Sequence, residues 1–223
     1  MNAHLNPTFR RTRALTLIEV LVVIAVVAVL VGLLIPKWTA AGAKADQIRC
    51  NNRMKNFGLA FRIFTTVNTN RFPFQLSTNF GGSQEYAKDP AQVWRHFLVI
   101  SNALSSPITI LCPSDRERTE ARDFSNFTSN QQLSYFVGLN ASEQNPHSIL
   151  SGDRNLILDG KSLEGKIITL SSNANIAFDK RIHRESGNIA MGDGSVQIVS
   201  SARLREAIHD AAMSGSTNTL VIP

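Results

Sequence analysis

The stretch that decides the fold is Arg10–Pro36, RRTRALTLIEVLVVIAVVAVLVGLLIP. From Leu15 to Ile35 it holds twenty-one residues and a single ionisable group, Glu19. Wound as a helix, such a run is roughly 30 Å long, the thickness of a bilayer's hydrocarbon core. Arg10, Arg11 and Arg13 stand just before it, and residues 1–14 contain no acid. The positive-inside rule therefore predicts Met1–Ala14 in the cytoplasm and the chain beyond Pro36 across the membrane. An ordinary cleavable signal has a shorter apolar region, about 7–15 residues, without a carboxylate in it. A twin-arginine signal on Arg10-Arg11 fits poorly, because the apolar run follows too closely. A carboxylate in lipid is costly and needs a partner, so Glu19 marks function.

Ala14-Leu15-Thr16-Leu17-Ile18-Glu19-Val20-Leu21 resembles the cleavage and methylation site of type IV pilins and type II secretion pseudopilins. The resemblance implies a cut by prepilin peptidase between Ala14 and Leu15, and N-methylation of Leu15. It implies that Glu19 pairs with a neighbouring subunit's amine during assembly, and that Pro36 bends the helix. Ala14 stands where the family usually has glycine and Leu15 where it usually has phenylalanine, both within the same size and polarity class. The implied partners are the peptidase, other pilin or pseudopilin subunits in a homo- or hetero-filament, the inner-membrane assembly platform and membrane lipid. The implied location is a single-pass inner-membrane protein with a periplasmic head, later part of a periplasmic or surface filament. The resemblance covers secretion pseudopili, surface pili and DNA-uptake filaments alike.

Beyond Pro36, Lys37 to about Thr66 again reads as helix. Cys50, Met54, Phe57, Phe61 and Phe64 recur at spacings of four, three, four and three, which puts them on one face. Such a stripe is a packing face, and its interleaved basic residues give no separate case for nucleic acid. After it the period changes. Asp89-Pro90 reads as a helix start, opening a helix through Leu104. Ile108–Cys112, Gln132–Leu139, Leu156–Leu158, Lys166–Ser171 and Asn175–Phe178 read as short strands. Gly192-Asp193-Gly194 between Asn188–Met191 and Ser195–Val199 is a hairpin signal. Ala202–Met213 reads as a helix, and Leu220–Ile222 as a last strand. The expected fold is α+β, a long N-terminal helix packed on a small antiparallel sheet. Its divisions are a leader 1–14, a transmembrane and assembly helix 15–66, and a globular head 67–223.

Cys50-Asn51-Asn52, Leu111-Cys112-Pro113-Ser114-Asp115 and the interval from His183 to Asp193-Gly194 resemble a pilin-like group of planctomycetes and verrucomicrobia. In that group His, nine residues and Asp-Gly form a C-terminal signature. Two readings of His183, Asp193 and Gly194 stand side by side, a turn anchored by a hydrogen bond and a metal site. The turn has the stronger case, since the separation is no recognisable metal spacing. On the periplasmic side Cys50 and Cys112 are candidates for one disulfide, with two buried thiols as the alternative. The chain has no Gly-x-Ser-x-Gly, His-Glu-x-x-His, phosphate loop or Cys-x-x-Cys, so no enzyme class and no cofactor is indicated. The alternative function is an uncleaved, signal-anchored periplasmic protein that binds a ligand or carries an unrecognised activity. The net charge of +6 does not point to nucleic acid, since half of it is Arg10, Arg11 and Arg13.

Overall fold

A computed structural model describes residues Thr16–Pro223, the side chains of residues 33–41 excepted. The chain forms two compact units, divided between Gly42 and Ala43. Helix α1, Leu17–Val67, is 51 residues long and contributes to both. Its start is fixed by Thr16 and Glu19, the residue types of a capping box. The Thr16 backbone N–H and hydroxyl each donate to Glu19 Oε2 at 2.8 Å, and Thr16 Oγ1 accepts from the Glu19 N–H at 3.4 Å. Ala14 and Leu15 lie outside the described residues. The helix passes through Pro36 without ending, so this proline does not break it. In the first unit the described apolar side chains are exposed, Leu17 at 83% and Ile24 at 63%. Among the described residues no helix is long and apolar enough to cross a membrane; Leu33, Leu34 and Ile35 lie among the excepted side chains.

In the second unit the 50–64 stripe does what its period predicts. Cys50, Met54, Phe57 and Phe61 are fully buried, and Phe64 packs beside them half-buried. They cover one face of a six-stranded antiparallel sheet. In chain order its strands are β1 (Tyr135–Gly138) and β2 (Ile149–Asp153), and further on β5 (Ile167–Leu170), β7 (Ser186–Met191), β8 (Val196–Ser200) and β9 (Asn218–Val221). Across the sheet they run β5-β9-β1-β2-β7-β8. Between β2 and β5 come β3 (Leu156–Leu158) and β4 (Lys161–Ser162), which form a second sheet, β4-β3-β6, with β6 (Ile176–Phe178).

The central strands are buried on both sides, and their side chains alternate between two cores. Tyr135, Val137, Leu150, Ala190 and Val221 point to the α1 side. Phe136, Ile149, Ile189, Met191 and Leu220 point to the opposite side, where the small sheet and the C-terminal helix Ser201–Met213 cover them. The helix over Pro90–Leu104 is shorter than expected. Asp89 caps only its first, 3₁₀ turn, accepting from the Ala91 N–H at 2.9 Å. Only Trp94–Val99 (α2) is α-helical, between 3₁₀ turns Pro90–Gln92 and Ser101–Ala103, and the Ser201–Met213 helix is therefore α3. β-branched Val93, Val99 and Ile100 and the backbone-competing Ser101-Asn102 weaken a longer helix. Ile108–Cys112 is no strand. Ser106 caps the Ile108 N–H and Pro107 takes the first helical position, so Pro107–Ile110 winds into a 3₁₀ turn.

Phe57 is the hub of the α1 core, with ring centroids 5.4 Å from Phe97, 4.8 Å from Tyr135 and 6.2 Å from Phe61. Phe57→Ala is expected to destabilise the second unit by about 3–5 kcal/mol in urea unfolding. An unchanged midpoint would show that the stripe does not hold the helix to the sheet.

Candidate functional site

Four elements meet under the middle of α1. Cys50 comes from α1 itself. Cys112 follows the Pro107–Ile110 turn, and its N–H donates to Ser134 Oγ at 2.9 Å. Asp153 ends β2, and His183 lies in the loop before β7. One ligating atom from each of these four side chains lies within 4.8 Å of the other three, and all four residues are buried. Cys112 Sγ is 3.3 Å from His183 Nε2. The Cys50 thiol donates to Asp153 Oδ1 at 3.4 Å, and Asp153 Oδ2 is 3.6 Å from His183 Nε2. Around the four, Tyr135 Oη is 3.2 Å from Cys50 Sγ. The Asn188 backbone N–H and side-chain amide donate to Asp153 Oδ2 at 2.7 and 2.9 Å.

The loop that delivers His183 is strained. Arg184 and Glu185 both take left-handed backbone angles, φ 53° and 68°, which cost non-glycine residues about 1 kcal/mol or more each. Local hydrogen bonds hold the shape: the Ser186 hydroxyl donates to the His183 carbonyl at 2.6 Å, and the Glu185 N–H to the Asp179 carbonyl at 3.2 Å.

Burial sets the electrostatics. It pushes the Cys50 thiol well above its usual pKa, with the hydrogen bond to Cys112 and the charge of Asp153 adding to the rise. It raises Asp153 to about 7 against the opposing pull of the Asn188 donors. It lowers His183 to about 4, although Asp46 and Asp115 favour the imidazolium. Burial therefore favours a neutral imidazole at His183 and a protonated thiol at Cys50. Cys112, His183 and Asp153 are the residue types of a nucleophilic triad, but they are wired differently. One nitrogen, Nε2, faces both sulfur and carboxylate, whereas a relay needs the carboxylate on the other ring nitrogen.

Several residues singled out in the sequence are brought together here and others are not. Cys50 and Cys112 converge, both as free thiols. His183 joins them, but Asp193 lies apart in the β7–β8 turn, where its Oδ1 accepts from the Ser195 N–H at 2.8 Å. Gly194 has φ +84°, and a Cβ there would come within 2.5 Å of Arg62 Cδ on α1. Both ends of the 183–194 interval thus lie against the helix, one beside Cys50 and the other beside Arg62. Asp153, Tyr135 and Asn188 were not singled out as site residues.

Next to Asp153, Arg154 is fully buried and anchors an ion-pair network. Its Nε and Nη2 donate to the two oxygens of Asp115, each at 2.8 Å, and Nη2 also reaches Glu117 at 2.6 Å. Glu164 lies 3.0 Å from Nη1 and 2.8 Å from Arg181. Burial alone would favour losing the proton, but the hydrogen bonds it donates to Asp115 and Glu117 hold Arg154 above its ordinary value. Arg154→Met is expected to cost about 3–5 kcal/mol, because it strands the buried Asp115 carboxylate. Arg154→Lys should recover little of this, since an ammonium cannot take both oxygens in a fork. A lysine variant with the wild-type melting temperature would remove the two-pronged contact as the source of stability.

Residues 9–35 match the family model of the prokaryotic N-terminal methylation motif. No curated protein and no solved structure matches the chain. The matched segment contains the Ala14-Leu15 junction, Glu19 and all of the described α1 up to Gly32.

Proposed function

We propose that this chain is a pilin-like or pseudopilin structural subunit, cut by prepilin peptidase between Ala14 and Leu15 and methylated on Leu15. The observation that carries this reading is the methylation motif at residues 9–35, which runs into one long helix with two kinds of surface. The described apolar side chains before Gly32 are exposed, while Cys50, Met54, Phe57 and Phe61 further along are buried against a sheet. A folded head explains the second surface and leaves the first to find its cover elsewhere. In this reading residues 15–66 form the membrane and assembly helix, and residues 67–223 a periplasmic head. Lipid covers the apolar half before assembly and the same helix of neighbouring subunits covers it afterwards. In this reading the work of the chain is assembly.

Glu19 has two jobs in succession. In the described state it caps α1 through Thr16. In the filament its carboxylate neutralises the methylated amine of a neighbouring Leu15, a contact that a low dielectric strengthens. Mass spectrometry of the mature N-terminus is expected to find methylated Leu15; an intact Met1 would point instead to an uncleaved, signal-anchored protein. Glu19→Ala should leave cleavage unchanged and lower recovery in sheared filament fractions by about tenfold, roughly the 1.4 kcal/mol of one lost contact. Wild-type recovery of that variant would remove the pairing role.

A further inference from the structure

We infer that Cys50, Cys112, Asp153 and His183 form a structural zinc site that fastens α1 to the sheet. The four donors are two sulfurs, one imidazole nitrogen and one carboxylate oxygen, a set suited to Zn²⁺ in tetrahedral coordination. Zn–S bonds of about 2.3 Å and Zn–N or Zn–O bonds of about 2.0–2.2 Å put neighbouring ligand atoms roughly 3.3–3.8 Å apart. With Asp153 Oδ1 as the carboxylate donor, two of the separations already fall there: 3.3 Å for Cys112 Sγ to His183 Nε2 and 3.4 Å for Cys50 Sγ to Asp153 Oδ1, while the second carboxylate oxygen, Oδ2, lies 3.6 Å from His183 Nε2. All four donors converge within 4.8 Å, so small side-chain rotations close the remainder. Calcium and magnesium, which take six or more oxygen ligands or keep several waters, do not suit two sulfurs and a nitrogen.

The surroundings fit the ion. Asn188 orients the carboxylate with two donors, and the Tyr135 hydroxyl is placed to donate to the Cys50 sulfur once it is a thiolate. A pocket of about 170 Å³ bordered by Lys44, Gln47, Ser114 and Arg184 reaches His183 and provides access from solvent. Binding transfers the two thiol protons to solvent and forms two metal–sulfur bonds, with no change of oxidation state. The competing use of the cysteines is a disulfide. That bond would remove both thiol hydrogens, including the one Cys50 gives to the buried Asp153 Oδ1 at 3.4 Å. A metal ion engages all four groups. It also supplies a reason for the strained backbone at Arg184 and Glu185, which presents His183 to the other three.

The full-length protein, purified in detergent without chelator or reductant, is expected to carry about one zinc ion per chain by elemental mass spectrometry. EDTA should then lower its Tm by about 10 °C, and Zn²⁺ alone should restore it. Cys112→Ser and Asp153→Asn should each reduce bound zinc at least about tenfold. Should those variants fail to fold, Co²⁺ loaded into the unaltered protein gives an independent readout, visible bands of tetrahedral cobalt with a thiolate charge-transfer band. Three results would overturn the site: a zinc-free protein whose Tm ignores both EDTA and added Zn²⁺; a Cys50–Cys112 disulfide as the main form in non-reducing peptide mapping; or Co²⁺ spectra without the thiolate band.

Discussion

A helix that carries Phe57 and Phe61 on one face is a poor helix in water, because its stability comes from what that face is buried against. In this chain the partner is β1 and the turns that precede it, and the rest of the second unit can be read outward from their contact. Tyr135 meets Phe57 from the sheet, while Phe97 and Phe72 close over Phe61 from the 3₁₀-rich segment. With α1 on one face of β1, the other face must be covered too, and Phe136 finds α3 and the small sheet there. The three layers follow from one two-sided strand.

The same contact explains why polar chemistry occurs so deep in the unit. Cys50 begins the stripe, and the sheet beneath it ends at Asp153, where β2 gives way to Arg154 and Asn155. The carboxylate and the guanidinium placed there are themselves fully buried. Each is paired locally, Asp153 with Asn188 and Cys50, Arg154 with Asp115 and Glu117. Buried ionic groups of this kind add little net stability over apolar packing, yet they tolerate very few alternative arrangements. Of the two, Asp153 is the one that reaches α1, through the Cys50 thiol.

Much of this was legible in the residues and some was not. Lone Glu19 in an apolar run and the stripe from Cys50 to Phe64 are local signals, each governed by one periodicity. The hairpin at Gly192-Asp193-Gly194 is equally local, and Gly194 takes the left-handed angle that such a turn uses. The buried quartet is different, because its members stand at positions 50, 112, 153 and 183 and only the sheet order brings them together. Asp153 was also hidden by its neighbours, since Ser151-Gly152-Asp153-Arg154-Asn155 carries no apolar alternation to mark a strand. The clue was its position, a charged run bracketed by Ile149-Leu150 and Leu156-Ile157. The strand expected over Ile108–Cys112 failed because its apolar content is matched by a stronger local instruction, Ser106-Pro107, which starts a turn.

The sheet order has a temporal side. β9, the last strand along the chain, lies between β5 and β1, and it is the strand through which β5 is joined to the others. Until Asn218–Val221 have left the ribosome, β1 and β5 each present an open edge, the kind of surface on which strands of other molecules add. By then the end of α1 has been synthesised for some 150 residues, about 8–30 seconds at ordinary rates of translation. The six-stranded sheet is therefore continuous only with Asn218–Val221 in place between β5 and β1.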